Sequence, residues 1–186
     1  MIIPHLWRGQ SAVRALTPSR TARRVRWSST SSPKRHDPLR VLFCGADDFS
    51  IYSLRALHAL QQSRADKIAS IDIVCRPDKR AGRGLKQIQE VPIKRVAQDL
   101  GLTIHQIDSF KDWSPPPSTN LVVAVSFGLL VPARVLKAAR YGGLNVHPSL
   151  LPEFRGPAPI QHTLLQRKRR TGVTSRLCIL PNLIMG

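Results

Sequence analysis

Acidic residues are scarce in this sequence, and both ends of the chain lack them. The 186 residues include 29 lysines and arginines but only 11 aspartates and glutamates, which gives a formal net charge of +18. No acidic residue precedes Asp37, and none follows Glu153. The two acid-free ends need separate explanations.

Other scarcities exclude whole classes of protein. Aromatic residues make up only 5% of the chain, which argues against an RNA-binding sheet that stacks bases on aromatic rings. The cysteines lie far apart, so a disulfide framework or a zinc site is not expected; they are Cys44, Cys75 and Cys178. The longest apolar run, residues 121–131, is too short to span a bilayer. With 42% hydrophobic residues, the chain can still build the core of one domain.

The first acid-free segment, residues 1–36, has the composition of a targeting peptide. It carries eight lysines and arginines and many serines and threonines. Such an amphipathic cation is typical of a mitochondrial transit peptide, and it predicts import into the matrix. A disordered basic tail that binds nucleic acid is the alternative.

Hydrophobic periodicity over the rest of the chain predicts alternating strands and helices. The predicted strands cover residues 38–45, 71–74, 102–107, 121–125 and 143–146. The predicted helices cover residues 49–62, 91–100, 132–139 and 159–166. This order indicates an α/β fold with a Rossmann-like, mostly parallel sheet, in which ligands bind at the carboxyl ends of the strands.

One strand end carries residues suited to acyl transfer to an amine. Asn145 and His147 are two positions apart, so they should face the same side of the sheet. The amide can stabilise an oxyanion, and the imidazole can move a proton. Pro148 and Pro152 bracket a stiff loop whose free backbone groups can bind a heterocycle. An incidental histidine beside a rigid turn is the alternative.

The residues around this strand end resemble a known family. Residues 145–152, Asn-Val-His-Pro-Ser-Leu-Leu-Pro, are similar to the signature of folate-dependent formyltransferases. Residues 155–161, Arg-Gly-Pro-Ala-Pro-Ile-Gln, resemble the continuation found in methionyl-tRNA formyltransferases. Residues 43–49, 76–84 and 126–128 agree, so the resemblance covers about residues 39–174. With the leader, the resemblance is to the mitochondrial members.

The resemblance implies a fold, a reaction and a set of site residues. The fold is the formyltransferase N-terminal domain, and the reaction transfers a formyl group from 10-formyltetrahydrofolate to the α-amino group of initiator methionyl-tRNA. Asn145 would stabilise the oxyanion, and His147 would assist proton movement. No metal is implied. The loop that would lie against the folate consists of Ser149, Leu150, Leu151 and Pro152.

A cluster of basic residues follows the second predicted strand. Its members lie within eleven residues and are Arg76, Lys79, Arg80, Arg83 and Lys86. Gly82 and Gly84 should keep this loop pliant, so that it can meet phosphates and become ordered on contact. The resemblance implies that the loop enters the acceptor stem of tRNA, with Arg83 as its central arginine. A solvated basic loop is the alternative.

The family pattern ends soon after residues 171–174. In the family a strand here leads to a catalytic aspartate, but this sequence offers no acidic residue after Glu153. We therefore expect residues 37–174 to be a partial catalytic domain, residues 175–186 to be a divergent tail, and the C-terminal tRNA-binding barrel domain to be absent. Formyl transfer should then be strongly reduced.

The sequence leaves three functions open. The chain is a tRNA formyltransferase, a non-catalytic folate- or tRNA-binding fragment from an alternative transcript, or a Rossmann-like protein that does not use folate. The expected partners of the first are initiator methionyl-tRNA and 10-formyltetrahydrofolate. We expect a monomer without membrane anchoring.

Overall fold

The computed structural model describes residues 36–178, which form a six-stranded sheet, flanking helices and a separate two-stranded hairpin. The strands are β1 Leu39–Gly45, β2 Ile68–Cys75, β3 Lys79–Ala81, β4 Gln87–Gln89, β5 Thr103–Gln106, β6 Leu121–Val125, β7 Gly143–His147 and β8 Thr174–Cys178. The helices are α1 Asp48–Ser63, α2 Pro92–Asp99, α3 Ala133–Ala138 and α4 Pro159–Leu165. Most of the predicted leader, residues 1–35 of 1–36, lies outside the described residues, as does the end of the predicted tail, residues 179–186 of 175–186.

The order of strands in the main sheet is β5-β2-β1-β6-β7-β8. Every neighbouring pair is parallel except β7 with β8, which is antiparallel. The predicted Rossmann-like, mostly parallel sheet is therefore confirmed. The chain builds outward from β1 through β2 to β5 and then resumes on the other side at β6. This reversal lies between β1 and β6, where α/β sheets open a ligand crevice at the carboxyl ends of the strands.

Both faces of the central strands are buried, which explains their continuous apolar sequence. Phe43 and Ile73 face α1 and α2, where they pack with Leu54 and Ile93 in one core cluster. Residues at alternate positions, such as Leu42, belong to a second cluster that includes the buried side of α3. The two clusters hold the carboxyl ends of β1, β6 and β7 in fixed register.

Gly45 ends β1 because no side chain fits there. A Cβ atom at this position would lie 2.8 Å from Ile93 Cδ1, 2.8 Å from Phe43 Cε1 and 2.9 Å from Ser50 Cβ. The close approach brings the amino ends of α1 and α2 against the end of β1. Asp47 then caps α1, because its Oδ1 accepts a hydrogen bond of 3.0 Å from the Ser50 amide.

The basic segment, predicted as a loop, is a hairpin in the structure. Strands β3 and β4 pair antiparallel, with Arg80 opposite Ile88, and the turn between them includes a short 3₁₀ segment. Gly82 and Gly84 take left-handed backbone conformations, with φ of 78° and 76°. The glycines thus build a defined turn instead of leaving the backbone free.

Strand β8 was not predicted from the sequence. Its residues carry little hydrophobic signal, since Ser175, Arg176 and Leu177 are all exposed. The strand exists because it pairs with the open edge of β7, and that pairing cannot be read from the segment itself.

Within residues 36–178, no helix has the length and apolarity needed to cross a bilayer.

Candidate active site

Asn145 and His147 lie near the carboxyl end of β7 and are almost fully buried, with 7% and 2% of their surface exposed. They alternate with the half-buried Leu144 and Val146, as the prediction of a shared face requires. Strand β6 flanks them on one side and β8 on the other. Across β8, Asn145 is paired with Arg176 and His147 with Thr174.

The ring of His147 is oriented by the backbone. Its Nε2 atom lies 2.9 Å from the carbonyl oxygen of Phe154. Because a carbonyl only accepts, this contact assigns the proton of the neutral ring to Nε2 and leaves the lone pair on Nδ1. No carboxylate bonds to this ring anywhere in the described part of the chain. The Phe154 carbonyl therefore orients the imidazole, a role for which the sequence has no acidic residue after Glu153.

Several backbone groups of the loop after β7 are bonded within the loop or to β8, so fewer of them are free than the sequence predicts. Ser149 donates its amide to the His147 carbonyl at 2.9 Å and its hydroxyl to the Glu153 carbonyl at 2.7 Å. Thr174 Oγ1 accepts from the Leu151 amide at 3.1 Å and donates to the Ser149 carbonyl at 2.7 Å. The contact of residues 149–152 with folate remains a prediction.

A cleft of about 300 Å³ opens beside His147. It lies at the carboxyl ends of β1, β6 and β7, where the strand order reverses. Its walls are mostly apolar, with a few polar groups, as is usual for small-molecule sites. The lining side chains include Val146, Pro148, Pro157, Pro159 and Ile160, together with Asp47, Ser126, His147 and Gln161.

Strained backbone surrounds this cleft. Ser126 and Ala158 line it with φ of 44° and 56°, and Phe154, whose carbonyl meets His147, has a φ of 53°. Left-handed conformations at residues other than glycine are costly and concentrate at functional sites. The strain therefore supports this cleft as the functional one.

The basic hairpin stands on the same edge of the sheet, since it leaves β2 at its carboxyl end. Four of its cations, Lys79, Arg80, Arg83 and Lys86, are exposed and have no acidic partner within residues 36–178. Arg76, at its base, lies 3.8 Å from Asp108. The four unpaired cations are available to an anionic ligand.

A second cavity, of about 260 Å³, lies at the hairpin base and is lined in part by Arg76, Lys79 and Glu90. Asp47 lines both this cavity and the cleft beside His147. The cavity at the hairpin base and the cleft beside His147 therefore share Asp47 as a lining residue.

Two other kinds of chemistry find no support among residues 36–178. No group of three or more histidine, cysteine or acidic side chains is placed there to hold a metal ion. Burial raises the pKa of the Cys44 thiol far above its ordinary value and that of Cys75 to about 11. Neither thiol is a nucleophile at neutral pH, because only the thiolate attacks.

Sequence comparison identifies the family of the chain. A model of the formyl transferase family matches residues 39–177. The chain belongs to the formyl transferase family. It is 42% identical to methionyl-tRNA formyltransferase from Chromohalobacter salexigens over 141 residues, and 37% identical to that from Methylobacillus flagellatus over 141 residues. Each match covers 73% of this chain but only 41% and 44% of those relatives, so the chain spans less than half their length.

Solved structures support the fold. Glycinamide ribonucleotide transformylase 1 from Geobacillus kaustophilus superposes with a TM-score of 0.52 at 20% identity, over 76% of this chain and 74% of that one. Phosphoribosylglycinamide formyltransferase from Brucella melitensis gives a TM-score of 0.52 at 18% identity, over 76% and 73%. The formyltransferase fold is therefore found both in sequence relatives and in distant structures.

Three contributors to the site escaped the sequence analysis: the Phe154 carbonyl, the Thr174 hydroxyl and the Asp47 carboxylate. The first two act through backbone contacts that exist only after the loop and β8 have folded. Asp47 carried a visible signal, since it directly follows the first strand and its glycine.

Proposed function

We propose that the chain transfers a formyl group from 10-formyltetrahydrofolate to the α-amino group of initiator methionyl-tRNA in the mitochondrial matrix. One observation carries this proposal: buried His147 lines a cleft, and exposed cations of the basic hairpin, without acidic partners among residues 36–178, stand on the same edge of the sheet. Buried Asn145 lies two residues before His147 on the same strand. Membership of the formyl transferase family and the names of the curated relatives support it.

The residues of β7 suit the two halves of such a transfer. The amine attacks the formyl carbon, and the carbonyl oxygen becomes an oxyanion to which the Asn145 amide donates. The bond from the formyl carbon to the folate nitrogen then breaks, and the proton lost by the amine passes to that nitrogen. His147 moves this proton through Nδ1, because Nε2 is held by Phe154.

The cleft suits one end of the donor. Its volume of about 300 Å³ lies at the lower end of small-molecule sites, large enough for the formyl-bearing part of a folate but not for a whole one. Proline and isoleucine walls match a flat heterocycle, and exposed Leu150, in the loop after His147, offers further apolar surface. No bound metal is required, since the formyl carbon is already electrophilic.

The hairpin suits the RNA. Exposed cations without acidic partners attract phosphates and release counterions, which makes binding depend on salt. Their position on the cleft side of the sheet brings the aminoacyl end of a bound tRNA toward His147. We assign the RNA contacts to Lys79, Arg80, Arg83 and Lys86, with Arg76 at the base.

The localisation and the assembly state are part of the proposal. The acid-free, arginine-rich residues 1–36 support mitochondrial import. We propose that the chain acts as a monomer, without a membrane anchor. Fluorescence microscopy of a fusion to residues 1–36, and sedimentation of the full chain, test these two points.

The full 186-residue chain should be incubated with initiator methionyl-tRNA and 10-formyltetrahydrofolate, and formylmethionyl-tRNA should be counted. We expect product at a low rate, because no carboxylate within residues 36–178 bonds to His147, and we expect no product after His147→Ala. The matched control is His162→Ala on α4, which should leave the rate unchanged. Binding of tRNA or folate without any product would favour the non-catalytic fragment, and no binding of either would refute the proposal.

A further inference from the structure

One carboxylate fastens the two ends of the basic hairpin together. Asp78 directly precedes β3, and Val91 lies just beyond the end of β4. Asp78 Oδ1 accepts a hydrogen bond of 3.2 Å from the Val91 amide, and its Oδ2 pairs with the Lys94 ammonium. Only 22% of the Asp78 side chain and 19% of the Lys94 side chain are exposed, so the pair is more shielded than an ordinary surface pair.

The other side of this contact is rigid. Lys94 belongs to α2, whose Ile93 and Ala97 are fully buried in the core. The Ile93 amide also donates to the Ala46 carbonyl at 3.3 Å, which ties α2 to the exit of β1. The carboxylate therefore fastens the hairpin to a fixed part of the fold.

Among the described residues, the only other ion pairs of the hairpin also lie at its base: Lys94 with Glu90 at 4.0 Å and Arg76 with Asp108 at 3.8 Å. Each of its strands has three residues, and all residues from 82 to 90 are exposed. An isolated two-stranded hairpin is marginally stable in water. Because the hairpin has no core of its own, the direction in which it points depends on the contacts at its base.

We propose that Asp78 and Lys94 are positioning residues for RNA binding: they set the direction in which the hairpin presents its cations, and neither touches the RNA. This inference rests on the proposed tRNA-binding function. It concerns a different property, namely how far the binding surface is organised before the RNA arrives.

The direction in which RNA affinity changes when Asp78 is removed distinguishes a positioning role from simple charge repulsion. Asp78 is an anion next to a phosphate-binding surface, so its removal should strengthen RNA binding if only Coulomb attraction counted. Positioning predicts the opposite, because a loosened hairpin must be ordered when the RNA binds. Asp78→Ala should therefore weaken binding of the full chain to fluorescein-labelled, deacylated initiator tRNA by about tenfold.

The variants should be graded by the contacts they keep. Asp78→Asn can still accept the Val91 amide and should lose less affinity than Asp78→Ala. Lys94→Arg keeps the ion pair and should bind like the wild type, whereas Lys94→Met should not. The matched control is Asp66→Ala, which breaks the exposed pair of Asp66 with Arg64 on the α1–β2 connection and should not weaken binding.

Hydrogen exchange of the free protein supplies a second readout. Amides of residues 79–90 should exchange faster in Asp78→Ala, whereas core amides in β1 should not change. Tight binding and unchanged exchange in Asp78→Ala would overturn the positioning role and leave the proposed function standing. A wild-type chain that binds no tRNA would overturn both.

Discussion

The Nε2 atom of His147 lies 2.9 Å from the carbonyl oxygen of Phe154, a residue held in the left-handed backbone region with φ of 53°. The orientation of the buried imidazole thus depends on an unusual conformation seven residues away. A substitution cannot remove this backbone carbonyl. It can shift the carbonyl, however, if the new residue at position 154 disfavours the left-handed conformation.

Two substitutions of Phe154 should have different effects. Asn tolerates the left-handed region, whereas β-branched Val does not and costs about 1–2 kcal/mol there. We expect Phe154→Asn to keep most of the formyl-transfer rate and Phe154→Val to lower it about tenfold as the carbonyl shifts. Single-turnover rates at saturating substrate provide the measurement. Equal rates for the two variants would show that the carbonyl does not position the ring.

Asn145→Ala should slow the transfer without unfolding the chain. One lost oxyanion donor costs about 3–4 kcal/mol, or roughly 10²–10³ in rate. The carboxamide has no hydrogen-bond partner among the described residues, so its loss should change the melting temperature little. A large fall in melting temperature with the rate preserved would make Asn145 a structural residue.

Much of this architecture follows from the sequence, because its strongest signals are local. Buried runs such as residues 121–125 and helices with Pro at the first turn are set by their own residues. The pairing of β8 with β7, and the contact of Thr174 with the loop after β7, depend on segments more than twenty residues apart. The hairpin is not predictable from the segment alone, because Gly82 and Gly84 suit both a flexible loop and a tight turn.

Thr174→Val should loosen the loop after β7. The substitution keeps the shape of the side chain but removes the acceptor of the Leu151 amide and the donor to the Ser149 carbonyl. Leaving these partly buried groups unpaired should cost about 1–3 kcal/mol in the free energy of unfolding. Urea denaturation measures the change, and Ser175→Ala, at the exposed neighbouring position, is the control. The argument fails if both variants unfold at the same urea concentration.

The Asp78 carboxyl should titrate at an unusually low pH. The hydrogen bond from the Lys94 side chain lowers the pKa of Asp78 below the ordinary value of about 3.9. Because the pKa is lower in the folded than in the unfolded state, this contribution to stability is present above the ordinary value and is lost as pH falls through the lowered one. Carbon-13 NMR of the carboxyl group measures the pKa, and Lys94→Met should raise it. An unchanged pKa in that variant would mean that Lys94 does not hold the carboxylate.

Gly45→Ala should destabilise the fold by overcrowding the end of β1. The new methyl group would meet Ile93 Cδ1 at 2.8 Å, as well as Phe43 and Ser50, where α1 and α2 converge on the end of β1. Overpacking of this kind costs about 1–3 kcal/mol. Ile93→Val removes Cδ1, so the double variant should lose less stability than the sum of the two single changes.

This coupling is measurable by a double-mutant cycle in urea unfolding. Residues in contact show interaction energies of about 0.5–3 kcal/mol, whereas distant ones are additive. Ala97 also lies on the buried face of α2, but it is not among the three residues nearest to a Cβ atom at position 45. Ala97→Gly should therefore be additive with Gly45→Ala. If Ile93→Val were equally additive, the crowding at the end of β1 would have to be relieved by Phe43 or Ser50 instead.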